Sequence, residues 1–187
     1  MKFIISIIIC SLCILQIKGD KASTVAEFAK SKVNKAGYVW GASGQVLTDR
    51  TLDELYRRNP SHVDKNIVKK WMGKEVYDCS GLVMVAFKKV GISIYHGATT
   101  AWKSTHWAKS GKIANYPTNQ VCILYKGDGS NMSHTGIYVG GKTFVHAAGS
   151  KEGVKKGTMP GSWTHWGIPN GTAGHSSSHR RARLPCA

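Results

Sequence analysis

From residue 121 onward the chain changes texture. The runs VCILYK (121–126), HTGIYV (134–139) and KTFVHAA (142–148) are short, rich in β-branched and aromatic residues, and separated by glycine-rich turns. They read as strands, and THWGIP (164–169) supplies another. Before that point the periodicity is helical. Helices first and strands afterwards predict an α+β domain, with N-terminal helices packed on a C-terminal antiparallel β-sheet.

Five helical stretches are predicted. TVAEFAKSKVNKAG (24–37) pairs Thr24 with Glu27 as a capping box, sets Val25, Phe28, Ala29, Val33 and Ala36 on one stripe, and ends at Gly37. TLDELYRRNP (51–60), with Thr51 and Glu54 as its cap pair, and SHVDKNIVKKWMG (61–73), with Ser61 and Asp64, predict two short helices covering the approach to Cys79. CSGLVMVAFKKVG (79–91) returns Leu82, Val83, Ala86, Phe87 and Val90 to one face, and Lys88 and Lys89 fall where the helix dipole favours cations. TTAWKSTHWAKSGK (99–112) reads as a further helix.

The ends differ in kind. Lys2 precedes an uncharged apolar run over 3–17, and Gly19 is a small residue at a cleavage position, the pattern of a secretory signal peptide. The run is shorter than the roughly 20 residues that span a bilayer, so the expectation is a secreted protein with no membrane association after cleavage. Removing 1–19 would leave 168 residues, one domain over 20–170 followed by a basic, polar, flexible tail over 171–187. The formal charge of +16 would fall to +14, from 24 basic and 10 acidic residues. A secreted chain so basic is drawn to anionic surfaces such as a cell wall. The basic residues are scattered and form no recognised module, so nucleic acid is not an expected partner. No cofactor is called for: His175 and His179 have metal-ligand spacing but lack a third ligand. A monomer is expected.

Three cysteines would survive cleavage, Cys79, Cys122 and Cys186, so at least one thiol stays unpaired within the monomer. Cys122 reads as a buried strand residue and Cys186 as exposed, and a bridge between them needs the tail to fold back. Cys79 stands where the helix of residues 79–91 begins. There, unpaired amides and a nearby imidazolium would lower its pKa from about 8.5 towards the range of ~3.5 to 7.5 and hold a nucleophilic thiolate. A cysteine in front of an apolar helix is more often simply core, so the case needs a histidine.

His134 and His146 flank a predicted hairpin. A two-residue Gly140-Gly141 turn would place them on opposite faces. A three-residue loop of Val139, Gly140 and Gly141, with Gly141 left-handed, would set them directly opposite one another, with Cβ atoms roughly 4.5 to 5.5 Å apart. In that geometry His134 takes the thiol proton while His146 holds the ring in the right tautomer.

With these residues in place, YVWGA (38–42), DCSGLV (78–83), SHTGIYVGG (133–141) and TFVHAAG (143–149) resemble, in order, the motifs of the NlpC/P60 cysteine peptidases. The resemblance covers residues 24–168. It implies a papain-like fold, with Cys79 as nucleophile, His134 as base and His146 as orienter. It further implies a pocket lined by Tyr38, Asp78 and Ser80. Tyr38 would serve the oxyanion; Asp78 and Ser80 would grip the peptide's amine and carboxylate groups. The implied reaction is hydrolysis of the γ-D-glutamyl–diamino acid (meso-diaminopimelate) bond of bacterial peptidoglycan stem peptides through a thioester. A related amidase cutting another wall amide, and a non-catalytic cationic wall-binding protein, are the competing readings. The long segment 44–75, between the tyrosine and nucleophile motifs, is expected to form a lid or a selective wall.

Overall fold

The computed structural model describes residues 20–172. The expected signal segment 1–19, Cys186 and all but the first residues of the tail lie outside them. In chain order the elements are α1 (Lys21–Lys32), β1 (Gly37–Tyr38), β2 (Ser43–Val46), α2 (Asp49–Arg58), α3 (Lys65–Val68), β3 (Glu75–Tyr77), α4 (Cys79–Lys88), α5 (Ala98–Ser104), β4 (Trp107–Lys112), β5 (Cys122–Gly127), β6 (Met132–Tyr138), β7 (Thr143–Gly149), β8 (Gly153–Thr158) and β9 (His165–Pro169). The antiparallel six-stranded sheet runs β4-β9-β5-β6-β7-β8, and a three-stranded sheet runs β1-β3-β2. The α+β expectation holds.

The main core lies between one sheet face and the helices: Val25 and Ala29 of α1 and Leu82, Val83, Ala86 and Phe87 of α4 meet Ile123, Tyr125, Ile137, Val145 and Ala147. The other face buries Leu124, Tyr138, Phe144, Met159, Trp163 and Trp166. Both faces of β5 to β7 are thus covered, which is why VCILYK reads as a continuous apolar run rather than an alternation.

Several predicted boundaries move. Helix α1 starts one turn before Thr24, capped by Asp20, and ends at Val33 rather than Gly37, with Asn34 taking the left-handed turn at φ 59°. Gly37 is a β1 residue instead, its bare Cα packed on Trp71, whose Cγ would lie 2.3 Å from an added Cβ. For α2 the cap is Thr48, with Thr51 reciprocating from the third helical position, so the box sits three residues earlier than the Thr51/Glu54 pair. In 61–73 Asp64 alone caps a single turn, α3, followed by a 3-10 turn over Lys69–Trp71.

The stretch 99–112 is half helix: α5 stops at Ser104, and β4 pairs along β9 from Trp107↔Pro169 to Lys112↔His165. Ser110 and Gly111 are poor helix formers, and the free β9 edge supplies backbone partners that a longer helix would forgo. Strand β8 has no apolar alternation to announce it; its backbone simply completes the β7 edge.

Segment 44–75 forms a second small core, where Leu47, Leu52, Leu55, Val63 and Val68 close on Val39, Ala42 and Val76. It is a buttress behind the 38–42 loop, not a lid. From this segment His62 stacks on Trp40 of the 38–42 loop, with centroids 4.4 Å apart.

Candidate active site

Helix α4 begins where Asp78 caps it. The Asp78 carboxylate accepts from Gly81 N–H at 2.7 Å and Ser80 Oγ at 2.9 Å through Oδ1. Through Oδ2 it accepts from Gly41 N–H at 2.9 Å and meets His96 Nε2 at 2.7 Å. Ser80 Oγ accepts in turn from Gly97 N–H at 2.9 Å. One carboxylate therefore fastens the 38–42 loop, the start of α4 and the 96–97 segment together. An N-cap carboxylate is worth ~1 kcal/mol by itself, and this one does more. Gly81 lets the 38–42 loop lie against the helix, since an added Cβ would sit 2.1 Å from the Ala42 carbonyl oxygen.

Cys79 occupies the first turn of α4, only 7% exposed. Burial, helped by the Asp78 charge, pushes its thiol up to about 11, against the pull of the Thr135, Ser80 and Cys79 backbone amides. This corrects the expected resting thiolate: desolvation outweighs the helix terminus. Neither Cys79 nor Cys122 is bonded to another described cysteine. Cys122 is buried as predicted, its thiol pushed up to about 12.

The histidine pair forms, by a different register. Ile137 faces Val145 and Tyr138 faces Phe144. The Val139 and Thr143 amides close the turn onto the Thr143 and Gly140 carbonyls, each at 2.9 Å. The loop is Gly140, Gly141 and Lys142, all with positive φ, so it has the expected three residues and a left-handed Gly141 but lies one residue later. His134 and His146 are therefore diagonal rather than directly opposite, and by this register His146 falls beside Gly136. They stay on one face because the shift preserves parity. Their rings meet edge to face, His134 Nε2 to His146 Nδ1 at 2.8 Å.

Three residues without a sequence signal hold that pair. Gly136 makes room: an added Cβ would lie 2.9 Å from Trp163 Cη2 and 3.0 Å from His146 Cβ. Trp163 stacks on His134 at 15° with centroids 5.7 Å apart and meets His146 edge-on. Lys126, paired with His134 across β5–β6, lays its ammonium over Trp163 at 5.2 Å. Burial pushes His134 down to about 4, with His146 and Lys126 adding to it. Burial, then Lys126 and Lys155, push His146 down to about 4. At neutral pH the site holds a thiol and two neutral imidazoles. Among the described residues Cys79 Sγ has no hydrogen bond to His134 or any other side chain, and the Thr135 amide, next to His134 on β6, favours its ionised form.

Tyr38, Trp40, Asp78, Cys79, Ser80 and His96 line a cleft of about 600 Å³, which Met132 and Ser133 complete just ahead of His134. The three predicted pocket residues are thus gathered around Cys79, whereas His134 and His146 are not among the lining side chains. The Tyr38 phenol is pushed up by burial and by the charges of Cys79 and Asp78, so it remains an O–H donor. Asp78 and Ser80 are already engaged with one another and with backbone amides, which leaves Asp78 little spare acceptor capacity for a substrate amine. His96 is the cleft residue that sequence reasoning missed: YHG, in a loop after GISI, matches no motif.

Residues 36–167 match the model of the NlpC/P60 family. The probable endopeptidase p60 of Listeria grayi is 29% identical over 93 residues, covering 50% of this chain and 17% of that protein. A probable endopeptidase of Mycobacterium bovis is 33% identical over 72 residues, 38% of this chain and 17% of its own. The chain thus spans less than a fifth of the length of these curated relatives. Among solved structures, NlpC1 from Trichomonas vaginalis superposes with a TM-score of 0.51 at 21% identity, covering 81% of this chain and 46% of that one. The peptidoglycan hydrolase RipB from Mycobacterium tuberculosis gives 0.53 at 22%, covering 79% and 63%. These likenesses establish the same fold, and the match over most of the chain establishes the lineage: the protein belongs to the NlpC/P60 family.

Proposed function

We propose that the chain is a secreted cysteine endopeptidase that hydrolyses bacterial peptidoglycan stem peptides at the γ-D-glutamyl–diamino acid bond. The observation that carries this reading is the joint placement of Cys79, at the mouth of a helix in an open cleft, and the His134–His146 pair bonded at 2.8 Å on the adjoining strand. Family membership and the relatives themselves, named as probable endopeptidases and a peptidoglycan hydrolase, support the substrate class.

If His134 donates Nε2–H to His146 Nδ1, its own Nδ1 carries the lone pair that accepts the Cys79 proton. Because the resting thiol and imidazole are both neutral, proton transfer accompanies attack of sulfur on the carbonyl carbon rather than preceding it. Tyr38 O–H and the amides at the start of α4 are the donors available to the oxyanion. Collapse expels the amine, which takes the proton from His134, and leaves a thioester. Water, deprotonated by the neutral His134, then attacks the thioester; the acid is released and the thiol reprotonated.

The basic start and apolar run of residues 1–19 support export, and the charge expected after cleavage supports retention on an anionic wall. The test is digestion of purified wall with mass-spectrometric identification of the new ends, beside Cys79→Ala and His134→Ala. A new N-terminal diamino acid produced only by the wild type is expected. New ends at a sugar–peptide amide would instead assign an amidase. Identical products from all three proteins, or none, would refute the assigned chemistry.

A further inference from the structure

Among the described residues that line the cleft, only His96 has a side chain that can carry a positive charge. It packs against Asp78 at 2.7 Å, with 35% of its side chain exposed against 9% for the carboxylate. Asp78 cannot turn away, since Gly41, Ser80 and Gly81 hold both its oxygens. His96 Nε2 is therefore committed to a fixed anion, and its other nitrogen, Nδ1, has no protein partner among the described residues. An imidazolium held from behind by a buried carboxylate, with one N–H left over in an open cleft, is an arrangement suited to binding an anion.

The geometry points to His96 as a specificity-determining residue that binds a substrate carboxylate, namely the free α-carboxylate of a γ-linked glutamyl residue. This rests on the peptidase reading above. In such a residue the chain leaves through the side-chain carbonyl, so the α-carboxylate stays free and only three carbons separate it from the scissile carbonyl. An acyl group of that shape enters the cleft carrying a negative charge close to the reacting atom. Without His96 that charge would face Asp78.

The recognition is pH-dependent with a definite sign. The Asp78 hydrogen bond and charge raise His96 above its ordinary value, against burial. Burial pushes Asp78 up, but His96, the Gly81 amide and Ser80 outweigh it and hold the carboxyl low. From the 38–42 loop and α4, Tyr38 and Cys79 share the cleft and both stay protonated at neutral pH. The lining residues of α5 and those of β6, Met132 and Ser133, do not titrate. His96 is therefore cationic below its raised pKa, and carboxylate binding fades as pH rises through it.

The experiment compares L-Ala-γ-D-Glu-diaminopimelate with its α-amide counterpart, the isoglutamine peptide. Hydrolysis by the wild type, His96→Gln and His96→Arg is measured from pH 6 to 9. Binding of both peptides to Cys79→Ala protein, alone and combined with His96→Gln, is measured by calorimetry. A charge-assisted hydrogen bond predicts roughly a 10- to 100-fold wild-type preference for the carboxylate at pH 6, fading with rising pH. His96→Gln equalises the two peptides, whereas His96→Arg keeps the preference and removes its pH dependence. Equal losses on both peptides, or an intact preference in His96→Gln, would overturn the assignment. Carboxylate-selective binding by Cys79→Ala without any wild-type hydrolysis would uphold the site while refuting the peptidase reading. Absence of selective binding would refute the site itself.

Discussion

Gly136→Ala tests how the strand register builds the histidine pair. The added methyl carbon would sit 2.9 Å from Trp163 Cη2, 3.0 Å from His146 Cβ and 3.0 Å from the Val145 carbonyl oxygen. Carbon atoms attract best at about 3.5 to 4.0 Å, so these contacts are several tenths of an ångström too close. Neither neighbour can yield freely. Trp163 is 3% exposed and packed on Phe144, while the Val145 carbonyl belongs to β7. Overpacking of this kind costs about 1 to 3 kcal/mol. In a domain of this size that lowers Tm by roughly 2 to 12 °C. The displaced His146 also lengthens its 2.8 Å bond to His134, so the pH profile of Cys79 alkylation by iodoacetamide shifts with it. Gly111→Ala is the control: its Cβ would lie 3.4 Å from Trp166 Nε1, an ordinary contact, and it leaves both readouts in place. If Gly136→Ala matches the wild type in Tm and in thiol reactivity, the register does not confine His146.

The depressed histidines tie stability to pH. Folded His134 and His146 resist protonation down to about 4, so stability is lost as pH falls from ~6.5 towards 4. At pH 5 the loss is about 2 kcal/mol for His134, whose folded value of about 4 lies below the ~6.5 of a free imidazole. Denaturant titrations of the wild type and His134→Gln show a steeper decline between pH 7 and 5 for the wild type, and parallel slopes would refute this. Trp163→Ala removes a nearly buried ring and costs about 3 to 5 kcal/mol. Trp166→Ala, on the same sheet face, costs a comparable amount but leaves the Cys79 alkylation profile unchanged, because Trp166 does not stack on His134.

The parts that local chemistry governs were legible in advance. The apolar stripe from Leu82 through Phe87, with Cys79 at its head and Gly91 at its end, specifies a buried helix whatever surrounds it. The glycines at 140 and 141 specify a turn there, and an even register between His134 and His146 was required if the two were to meet. What the sequence missed depends on partners far along the chain. Trp107–Lys112 became a strand because β9 was there to pair with it. Thr48 and Asp20 took the caps because packing set where those helices begin.

The order of residues settled which thiol stands at a helix start and which strands carry imidazoles, since capping and alternation act over three or four positions. It could not settle their protonation. Burial by distant segments decided that Cys79 rests as a thiol and the histidines as neutral rings. The fold alone brought His96 to Asp78 and Trp163 beneath His134, because desolvation and stacking depend on which side chains the tertiary structure assembles around a group.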